Sequence, residues 1–301
     1  MSSIHSKTYE STAPQKVAFL GLGVMGYPMA GHLATNGHQV TVYNRNATKS
    51  EAFCAEFTKA KRGLTPKEAV ADADIVYCCV GNDDDLRSVV LGADGAFAGM
   101  KMGAIFVDHT TASSNIAREL YAVAIAKGLH FVDAPVSGGQ AGAQNGLLTV
   151  MCGGDQAAFD AAKPAAMAFS KAFTRMGEAG AGQLTKMVNQ IAIAGLVQGL
   201  SEAVAFGQKA GLDVNLVLDV IGKGAAQSWQ MDNRGKTMVA DKFDFGFAVD
   251  WMRKDLGLVL DEAKRNGARL PVTALVDQFY ADVQHLGGQR WDTSSLIKRL
   301  K

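Results

Sequence analysis

Short apolar runs alternate with longer stretches of helical periodicity along the first half of the chain. Runs of four or five mostly apolar residues predict strands at residues 16–20, 39–43, 75–79, 105–108 and 130–133. The segments between them, starting with an amphipathic stretch at residues 24–36, are compatible with helices. Strands that alternate with helices in this way favour a parallel sheet covered on both faces, so the pattern predicts an α/β domain.

The pattern changes at a glycine-rich segment, residues 177–182. Residues 183–210 then form a long, apolar, helix-compatible stretch, and helical periodicity returns at residues 214–222 and 247–266 without convincing strands. Glycines interrupt the long stretch at positions 195, 199, 207 and 211. In this setting they favour close packing of helices, so the pattern predicts a second, all-α domain.

The length of 301 residues exceeds the usual size of one domain, which supports this division. We expect a flexible tail at residues 1–15, the α/β domain at residues 16–178 and the all-α domain at residues 179–301.

Composition and charge narrow the class of protein. The chain is 48% hydrophobic and 20% charged, which suits a sizeable core and excludes a disordered chain. A formal net charge of +1 offers no broad attraction for nucleic acid or anionic membrane. No apolar run reaches the ~18 residues typical of a membrane span, and the N-terminus lacks a signal-peptide pattern. We therefore expect a cytoplasmic enzyme that acts on a small molecule.

The cysteines and the acidic run do not point to a metal site. The four cysteines lack metal-ligand spacing and a histidine cluster: Cys54, Cys78, Cys79 and Cys152. Buried, reduced thiols in a reducing compartment explain them better. The consecutive carboxylates at residues 83–85 diverge in direction, and negative charge there favours the start of a helix. We predict no metal.

A glycine motif lies between the first predicted strand and the first predicted helix. Gly21, Gly23 and Gly26 form a G-x-G-x-x-G pattern, with Leu22, Val24 and Met25 between them. The first glycine permits a tight turn, the second leaves room for a pyrophosphate, and the third permits close helix–strand packing. The N-terminus of the following helix favours an anion. This placement predicts a dinucleotide-binding, Rossmann-like domain.

The end of the second predicted strand bears on the choice of cofactor. An acidic residue there usually accepts hydrogen bonds from the adenosine ribose, but this chain has Asn44 followed by Arg45. No carboxylate repels a 2′-phosphate, and the guanidinium of Arg45 can bind one, although a solvated surface charge is the alternative. We predict NADP in preference to NAD.

Two later segments carry candidate chemistry. Ser137, Gly138 and Gly139 follow the last predicted strand, where they can present a hydroxyl and backbone N–H groups to a substrate carboxylate; an ordinary turn is the alternative. Lys186 lies three residues before Asn189 and four before Gln190, so all three project from one helix face. A desolvated lysine can exchange a proton with a developing alkoxide, which predicts Lys186 as general acid/base.

Taken in order, the segments at residues 21–26, 133–139, 182–190 and 254–256 resemble the landmarks of the β-hydroxyacid dehydrogenase family. This family includes 3-hydroxyisobutyrate dehydrogenases and tartronate, glyoxylate and succinic semialdehyde reductases. The resemblance implies a Rossmann-like domain followed by an all-helical domain, and Lys186 as catalytic acid/base. It also implies that Ser137 and its glycines bind the substrate carboxylate, that Thr111 contacts the cofactor and that Lys254 lies near the nicotinamide.

The resemblance further implies a homodimer or homotetramer. Two positions depart from the pattern of many relatives. Asn189 lies three residues after Lys186 and Gln190 lies four residues after it, an arrangement similar to tartronate semialdehyde reductases. Which of the two amides assists Lys186 is therefore left open. After the strand predicted at residues 75–79, Val80 and Gly81 stand where many relatives have a proline, and backbone contacts of Val80 with the cofactor are still expected.

Other readings of the same residues remain open at this point. His109 follows a strand, but no carboxylate arrangement makes it a catalytic base, so we interpret it as structural or as part of the cofactor loop. The sequence is equally compatible with Trp229 lining the substrate site and with Trp229 packing between helices. The alternatives to a hydride-transferring dehydrogenase of small acids are imine reduction, which the lysine opposes, and a noncatalytic dinucleotide-binding module of the same fold.

Overall fold

The computed structural model describes residues 4–300 and divides the chain into two compact units, Met1–Lys186 and Met187–Lys301. The strands of unit 1 are β1 Lys16–Leu20, β2 Gln39–Tyr43, β3 Lys61–Arg62, β4 Ile75–Cys78, β5 Ile105–Asp108, β6 His130–Asp133, β7 Val136–Ser137, β8 Leu148–Gly154 and β9 Ser170–Gly177. Its helices are α1 Gly26–Thr35, α2 Ala47–Glu56, α3 Pro66–Val70, α4 Asp83–Val90, α5 Ala96–Gly99, α6 Ser114–Ala126, α7 Gly139–Gln144 and α8 Gln156–Ala166.

One sheet organises unit 1. Its first six strands are parallel in the order β3-β2-β1-β4-β5-β6, and the order reverses at β1, which has β2 on one side and β4 on the other. Such a reversal opens a crevice beyond the carboxyl ends of the two central strands, the usual ligand position in this architecture. The predicted α/β fold is confirmed.

The sheet extends further than the sequence pattern predicted. The strand β8 runs antiparallel to β6 and β7, and β9 pairs in parallel with the other edge of β8. The pattern predicts no strand of this domain after residues 130–133, which is wrong for β7, β8 and β9; the expected parallel pairing is wrong only for β8 against β6 and β7. These strands carry a weaker apolar pattern than the predicted strands: β7 has two residues, β8 ends in two glycines, and only two of the eight residues of β9 are buried.

Both faces of the sheet are buried. Phe19 on β1 and Tyr77 on β4 pack on one face, whereas their neighbours Leu20 and Cys78 pack on the other, as the alternation of side chains in a strand requires. Of the four cysteines, all free, Cys78 and Cys152 lie in these cores, and Cys54 and Cys79 are half-buried.

Unit 2 is helical. The boundary between the units falls within α9, Ala181–Lys209, and the helices that follow are α10 Val214–Ile221, α11 Trp229–Val239, α12 Val249–Asn266, α13 Pro271–His285 and a final 3₁₀ helix, Thr293–Leu300. Its core contains Val204 of α9, Met252 and Leu256 of α12, and Tyr280 of α13. The predicted helices are present, with ends within two residues of the pattern.

The segment before β1 carries neither helix nor strand over residues 4–15, and several polar contacts attach it to unit 1. The Lys7 ammonium donates to four backbone carbonyls, those of Gly146, Met167, Ala168 and Ser170, at 2.7–3.1 Å. The Tyr9 hydroxyl lies 2.7 Å from Nδ1 of His32. The flexibility expected of the tail, residues 1–15, stays a prediction. The contacts of Lys7 and Tyr9 argue against it for the residues that make them.

Within the described residues, α9 alone is long and apolar enough to cross a membrane, and half of its most apolar window is buried. Helices in the core of globular proteins commonly meet the same test of length and composition.

Two neighbouring strands, β5 and β6, end in the buried carboxylates Asp108 and Asp133, which are register partners. Burial raises the pKa of Asp108 to about 7, opposed by hydrogen bonds from Thr110 and reinforced by the charge of Asp133. His109 is also buried, with Nδ1 lying 2.6 Å from the carbonyl oxygen of Ala134, and burial lowers its pKa to about 4. A neutral, packed His109 supports its structural interpretation.

We predict that Asp108→Asn removes a pH-dependent loss of stability. Because the pKa of Asp108 is higher in the folded state, at about 7, than its ordinary value of 3.8, the unfolded chain releases this proton first. The free energy of unfolding should therefore fall as pH rises from about 4 to 7, by on the order of 2–3 kcal/mol, and the Asp108→Asn variant should lack that slope.

Denaturant unfolding at pH 5 and pH 8 measures the effect, with Asp94→Asn at an exposed position as the matched control. Equal changes in stability at both pH values for Asp108→Asn would show that the carboxylate is already ionised at pH 5.

Candidate active site

The glycine motif forms the turn between β1 and α1. Gly21 has a φ of +95°, and a Cβ there would overlap the carbonyl oxygen of Cys79. A Cβ at Gly26 would overlap the carbonyl oxygen of Gly21, whereas a Cβ at Gly23 would meet nothing within 4 Å. Gly21 therefore permits the turn and Gly26 permits close packing of the helix on the strand, whereas Gly23 borders open space. The shape fits a dinucleotide pyrophosphate at the N-terminus of α1.

Asn44 holds this loop in place from the end of β2. Its Oδ1 accepts a hydrogen bond from the backbone N–H of Leu22 at 2.8 Å, and its Nδ2 donates to the carbonyl oxygen of Asn46 at 3.0 Å. The adjacent Arg45 is 86% exposed and pairs with Asp85, with Nη1 3.0 Å from Oδ1. The guanidinium has five donors, so one ion pair leaves it able to take a phosphate.

The loops after β4 and β5 are joined by side chains. The N–H of Val80 donates to the Thr110 hydroxyl at 3.1 Å, and both the N–H and the hydroxyl of Ser113 donate to Asp83. Thr111 lies between these contacts and is half-buried. Together they fix the two loops that carry the predicted cofactor contacts.

The acidic run begins α4, as predicted. All three carboxylates lie in its first turn, and the Asn82 side chain caps the helix by accepting from the N–H of Asp85. Negative charge at this end suits the helix dipole. Among residues 4–300, no group of three potential metal ligands is found.

Ser137, Gly138 and Gly139 connect β7 to α7. Gly138 and Gly139 have φ values of +128° and +60°, a conformation that residues with a Cβ rarely adopt. A Cβ at Gly139 would meet nothing within 4 Å, and Ser137 is half-buried. The backbone of this turn therefore borders open space at Gly139, two residues after Ser137, and backbone N–H groups in such a turn can receive a carboxylate.

Lys186 lies in the second turn of α9 with only 7% of its surface exposed. The start of this helix is held by two buried side chains, Asp133 and Gln183. Asp133 accepts hydrogen bonds from the N–H groups of Gly180 and Gln183, and Gln183 contacts the loop that contains Thr111. Burial raises the pKa of Asp133, and these backbone donors act in the opposite direction.

In unit 2, four side chains form a continuous polar chain between α9 and α12. Asn189 donates to Oε1 of Gln190 at 2.8 Å, Gln190 donates to Oδ2 of Asp255 at 2.7 Å, and the Lys254 ammonium lies 2.9 Å from Oδ1 of Asp255. Asp255 is buried, so its charge is balanced by Lys254 within the protein. Both ends of the Gln190 amide are thus engaged, which fixes its orientation.

The structure brings the predicted residues of unit 1 to the carboxyl edge of its sheet: Gly21, Leu22, Gly23, Val24, Met25, Gly26, Asn44, Arg45, Val80, Thr111, Ser137, Gly138 and Gly139. Trp229 is half-exposed, and the centroid of its ring lies 4.9 Å from the guanidinium carbon of Arg234. Three polar residues that organise the site were not singled out from the sequence, namely Asp133, Gln183 and Asp255.

One signal could have pointed to Asp133. The residues before α9 are Glu178, Ala179 and Gly180, so the helix begins without a nearby Ser, Thr, Asp or Asn to cap it. A helix start that lacks a local cap requires acceptors for its N–H groups from elsewhere in the fold.

Comparisons with known proteins identify the family of each half of the chain. Residues 16–177 match the family profile described as the NAD binding domain of 6-phosphogluconate dehydrogenase. Residues 180–300 match the profile described as NAD-binding of NADP-dependent 3-hydroxyisobutyrate dehydrogenase.

Similar proteins span nearly the whole chain. An oxidoreductase of Shewanella frigidimarina is 62% identical over 95% of this chain and 98% of its own length. The 2-hydroxy-3-oxopropionate reductase of Escherichia coli is 32% identical over 95% of this chain and 97% of its own. The structure of Mycobacterium tuberculosis 3-hydroxyisobutyrate dehydrogenase with L-serine has a TM-score of 0.87 at 30% identity, covering 96% of this chain and 100% of that one. The chain belongs to the β-hydroxyacid dehydrogenase family and is an NAD(P)-dependent hydroxyacid dehydrogenase.

Proposed function

We propose that this enzyme transfers a hydride between NADP and a small 3-hydroxy acid, semialdehyde or 2-oxo acid, with Lys186 as general acid/base. The observation that carries the proposal is the burial of Lys186 near the start of α9, 7% exposed, with Asn189 and Gln190 following at helical spacing. The names of the E. coli reductase and the M. tuberculosis dehydrogenase support small oxidised and hydroxylated acids as the substrate class.

When bound, the nicotinamide cofactor supplies the hydride in reduction and accepts it in oxidation. In reduction, the Lys186 ammonium donates a proton to the carbonyl oxygen as that oxygen gains negative charge. In oxidation, the neutral amine accepts the hydroxyl proton. Burial disfavours the charged form of a lysine in general, and the burial of Lys186 is therefore a condition that suits proton exchange.

Ser137, Gly138 and Gly139 bind the substrate carboxylate in this proposal. Positive φ angles at both glycines turn the backbone sharply beside the Ser137 hydroxyl. Successive N–H groups in such a turn can surround a carboxylate oxygen. This contact would hold the acid end of the substrate while the carbonyl end reacts.

The hydrogen bonds in unit 2 suggest different roles for the two amides. Gln190 is engaged by Asn189 and by Asp255, so we propose that it orients Asn189, and that Asn189 contacts the substrate. Lys254 is held beside Asp255 by an ion pair, and from the family resemblance we propose that it contacts the nicotinamide end of the cofactor.

The preference for NADP rests on Asn44 and Arg45. Asn44 presents no carboxylate to a 2′-phosphate, and the exposed fork of Arg45 follows it directly. Asp85 already pairs with the guanidinium of Arg45. To bind the phosphate, Arg45 must therefore either contact Asp85 and the phosphate together or break its ion pair with Asp85.

We also propose a homodimer or homotetramer in the cytoplasm. Large apolar side chains are exposed on three helices of unit 2, including Phe206 on α9, Leu216 and Val220 on α10, and Val272 on α13. Exposed apolar surface of this extent commonly marks an interface between subunits.

Lys186→Ala should lower kcat by about 10²–10⁴-fold, because it removes the proton donor that carbonyl reduction needs. The affinity for NADPH should change little, since the glycine loop of β1 and α1 is untouched. Turnover of tartronate, succinic and methylmalonic semialdehydes and glyoxylate, with cofactor binding by fluorescence titration, measures both quantities.

Lys186→Arg tests the proton directly, because arginine keeps the positive charge but does not release a proton near neutral pH. It should restore little activity. Lys209→Ala, at the exposed end of the same helix, is the matched control and should leave kcat unchanged. A near-native kcat for Lys186→Arg, with chemistry rate-limiting, would make Lys186 an electrostatic binding residue.

Arg45→Ala should weaken NADPH binding more than NADH binding, by on the order of tenfold, because only NADPH loses a charge-assisted phosphate contact. Asp85→Asn should act in the opposite direction, since it frees Arg45 from its ion pair. Calorimetric titration of each variant with both cofactors gives the ratio of dissociation constants. Equal losses for NADPH and NADH in Arg45→Ala would count against the assignment.

Light scattering should show a dimer or tetramer of the wild-type protein. The Phe206→Glu variant should have a smaller average mass, because the substitution places a charge in the interface between subunits. Met102→Glu, which changes an apolar side chain of unit 1 that is 87% exposed, is the control. A wild-type protein that stays monomeric over a wide concentration range would refute the assembly.

A further inference from the structure

The helix that carries Lys186 is capped from a distance. In an α-helix the first N–H groups have no partner within the helix, and a side chain just before the helix usually accepts from them. The residues before α9 offer no such side chain, because Ala179 and Gly180 carry no polar side-chain group and the Glu178 carboxylate pairs with Arg175. The acceptor comes instead from the end of β6.

Asp133 supplies both oxygens to this helix start. Its Oδ1 accepts from the N–H of Gly180 at 2.7 Å, and its Oδ2 accepts from the N–H of Gln183 at 2.9 Å. The carboxylate is completely buried. A buried carboxylate with two short backbone donors is a strong and directional contact, and it fixes the position of the first turn relative to β6.

Gln183 adds a second contact from within that turn. Its side-chain amide donates to the carbonyl oxygen of Thr110 at 2.7 Å, and its Oε1 accepts from the N–H of Ala112 at 3.1 Å. The side chain is 1% exposed. It therefore holds the start of α9 against the loop whose central residue is Thr111.

Close packing removes the remaining freedom. A Cβ at Gly182 would lie 2.6 Å from the carbonyl oxygen of Asp133, and one at Gly153 of β8 would lie 2.5 Å from its Oδ1. Both distances are shorter than real Cβ contacts, so glycine at these positions lets the helix start and the neighbouring strand touch Asp133 directly.

We propose that Asp133, assisted by Gln183, is a positioning residue that sets the place of Lys186 by fixing the first turn of α9. Lys186 lies three residues after Gln183, within about one helical turn, so a shift of the fixed turn moves its ammonium with it. The inference rests on the proposed role of Lys186 as acid/base. Misplacement of a catalytic group by about 1 Å can cost about 10²-fold in rate.

The test is a double-mutant cycle on kcat. Asp133→Asn has nearly the same shape but replaces one acceptor with an amide donor that faces a backbone N–H. In the wild-type background it should lower kcat by on the order of 10- to 100-fold. In the Lys186→Ala background it should lower the residual rate by less than about twofold, because the group that Asp133 positions is already gone.

A purely structural role predicts a different result. If Asp133→Asn lowered kcat by the same factor in both backgrounds, or left the wild-type kcat unchanged, the proposal would be overturned. A Lys186→Ala enzyme with native turnover would instead refute the acid/base role itself, and that result is visible without any Asp133 variant. Asp213→Asn, which changes the cap of α10, is the matched control and should leave kcat unchanged.

Gln183→Met repeats the cycle without changing a charge, and it serves if Asp133→Asn does not fold. It should lower kcat in the wild-type background and have little further effect on kcat beside Lys186→Ala. Because Gln183 also holds the Thr111 loop, the variant should weaken NADPH binding in both backgrounds, whereas Asp133→Asn should not. A kcat effect of Gln183→Met that persists in full without Lys186 would contradict the proposal.

Discussion

A carboxylate buried inside a protein is costly unless donors surround it, and in unit 1 the donors around Asp133 are the first N–H groups of α9. The Asp133 carboxylate and the start of α9 stabilise each other. The carboxylate gains hydrogen bonds that burial would otherwise deny it, and the helix gains the cap that residues 178–180 do not supply. Because neither can move without leaving the other unsatisfied, the end of β6 and the start of α9 behave as one rigid piece.

The neighbouring carboxylate lies outside the reach of this helix start. Asp108 is the register partner of Asp133, but its Oδ1 accepts from the N–H of Thr110 in its own loop, and burial raises its pKa to about 7. Two ionised carboxylates side by side would repel each other. Burial raises the pKa of both carboxyls, and at Asp133 the N–H donors of the helix start act against that rise and so favour its charged form.

The sequence alone predicts the parts of this protein that depend on neighbours along the chain, namely the five parallel strands, the glycine turn and the helices of unit 2. The strands β7, β8 and β9 were missed because β7 has only two residues, β8 ends in two glycines, and most of β9 is not buried, so their apolar pattern is weaker than that of a central strand. Helical spacing likewise placed Lys186 with its two amides, but the contacts that hold such residues join distant segments. Asp133 caps a helix 47 residues later, and Gln190 meets Asp255 across 65 residues. Nothing beside Asp133 in the sequence distinguishes a ligand contact from a helix cap.

Asn44 holds the glycine loop in the same non-local way, since it accepts from the N–H of Leu22 from the end of β2. An aspartate at this position could still accept from the N–H of Leu22, but it could not donate to the carbonyl oxygen of Asn46 as the amide does. It would also place a negative charge on the loop that receives a pyrophosphate. Asparagine therefore makes both hydrogen bonds of this loop without adding a charge, whereas an aspartate at residue 44 would lose the one to Asn46.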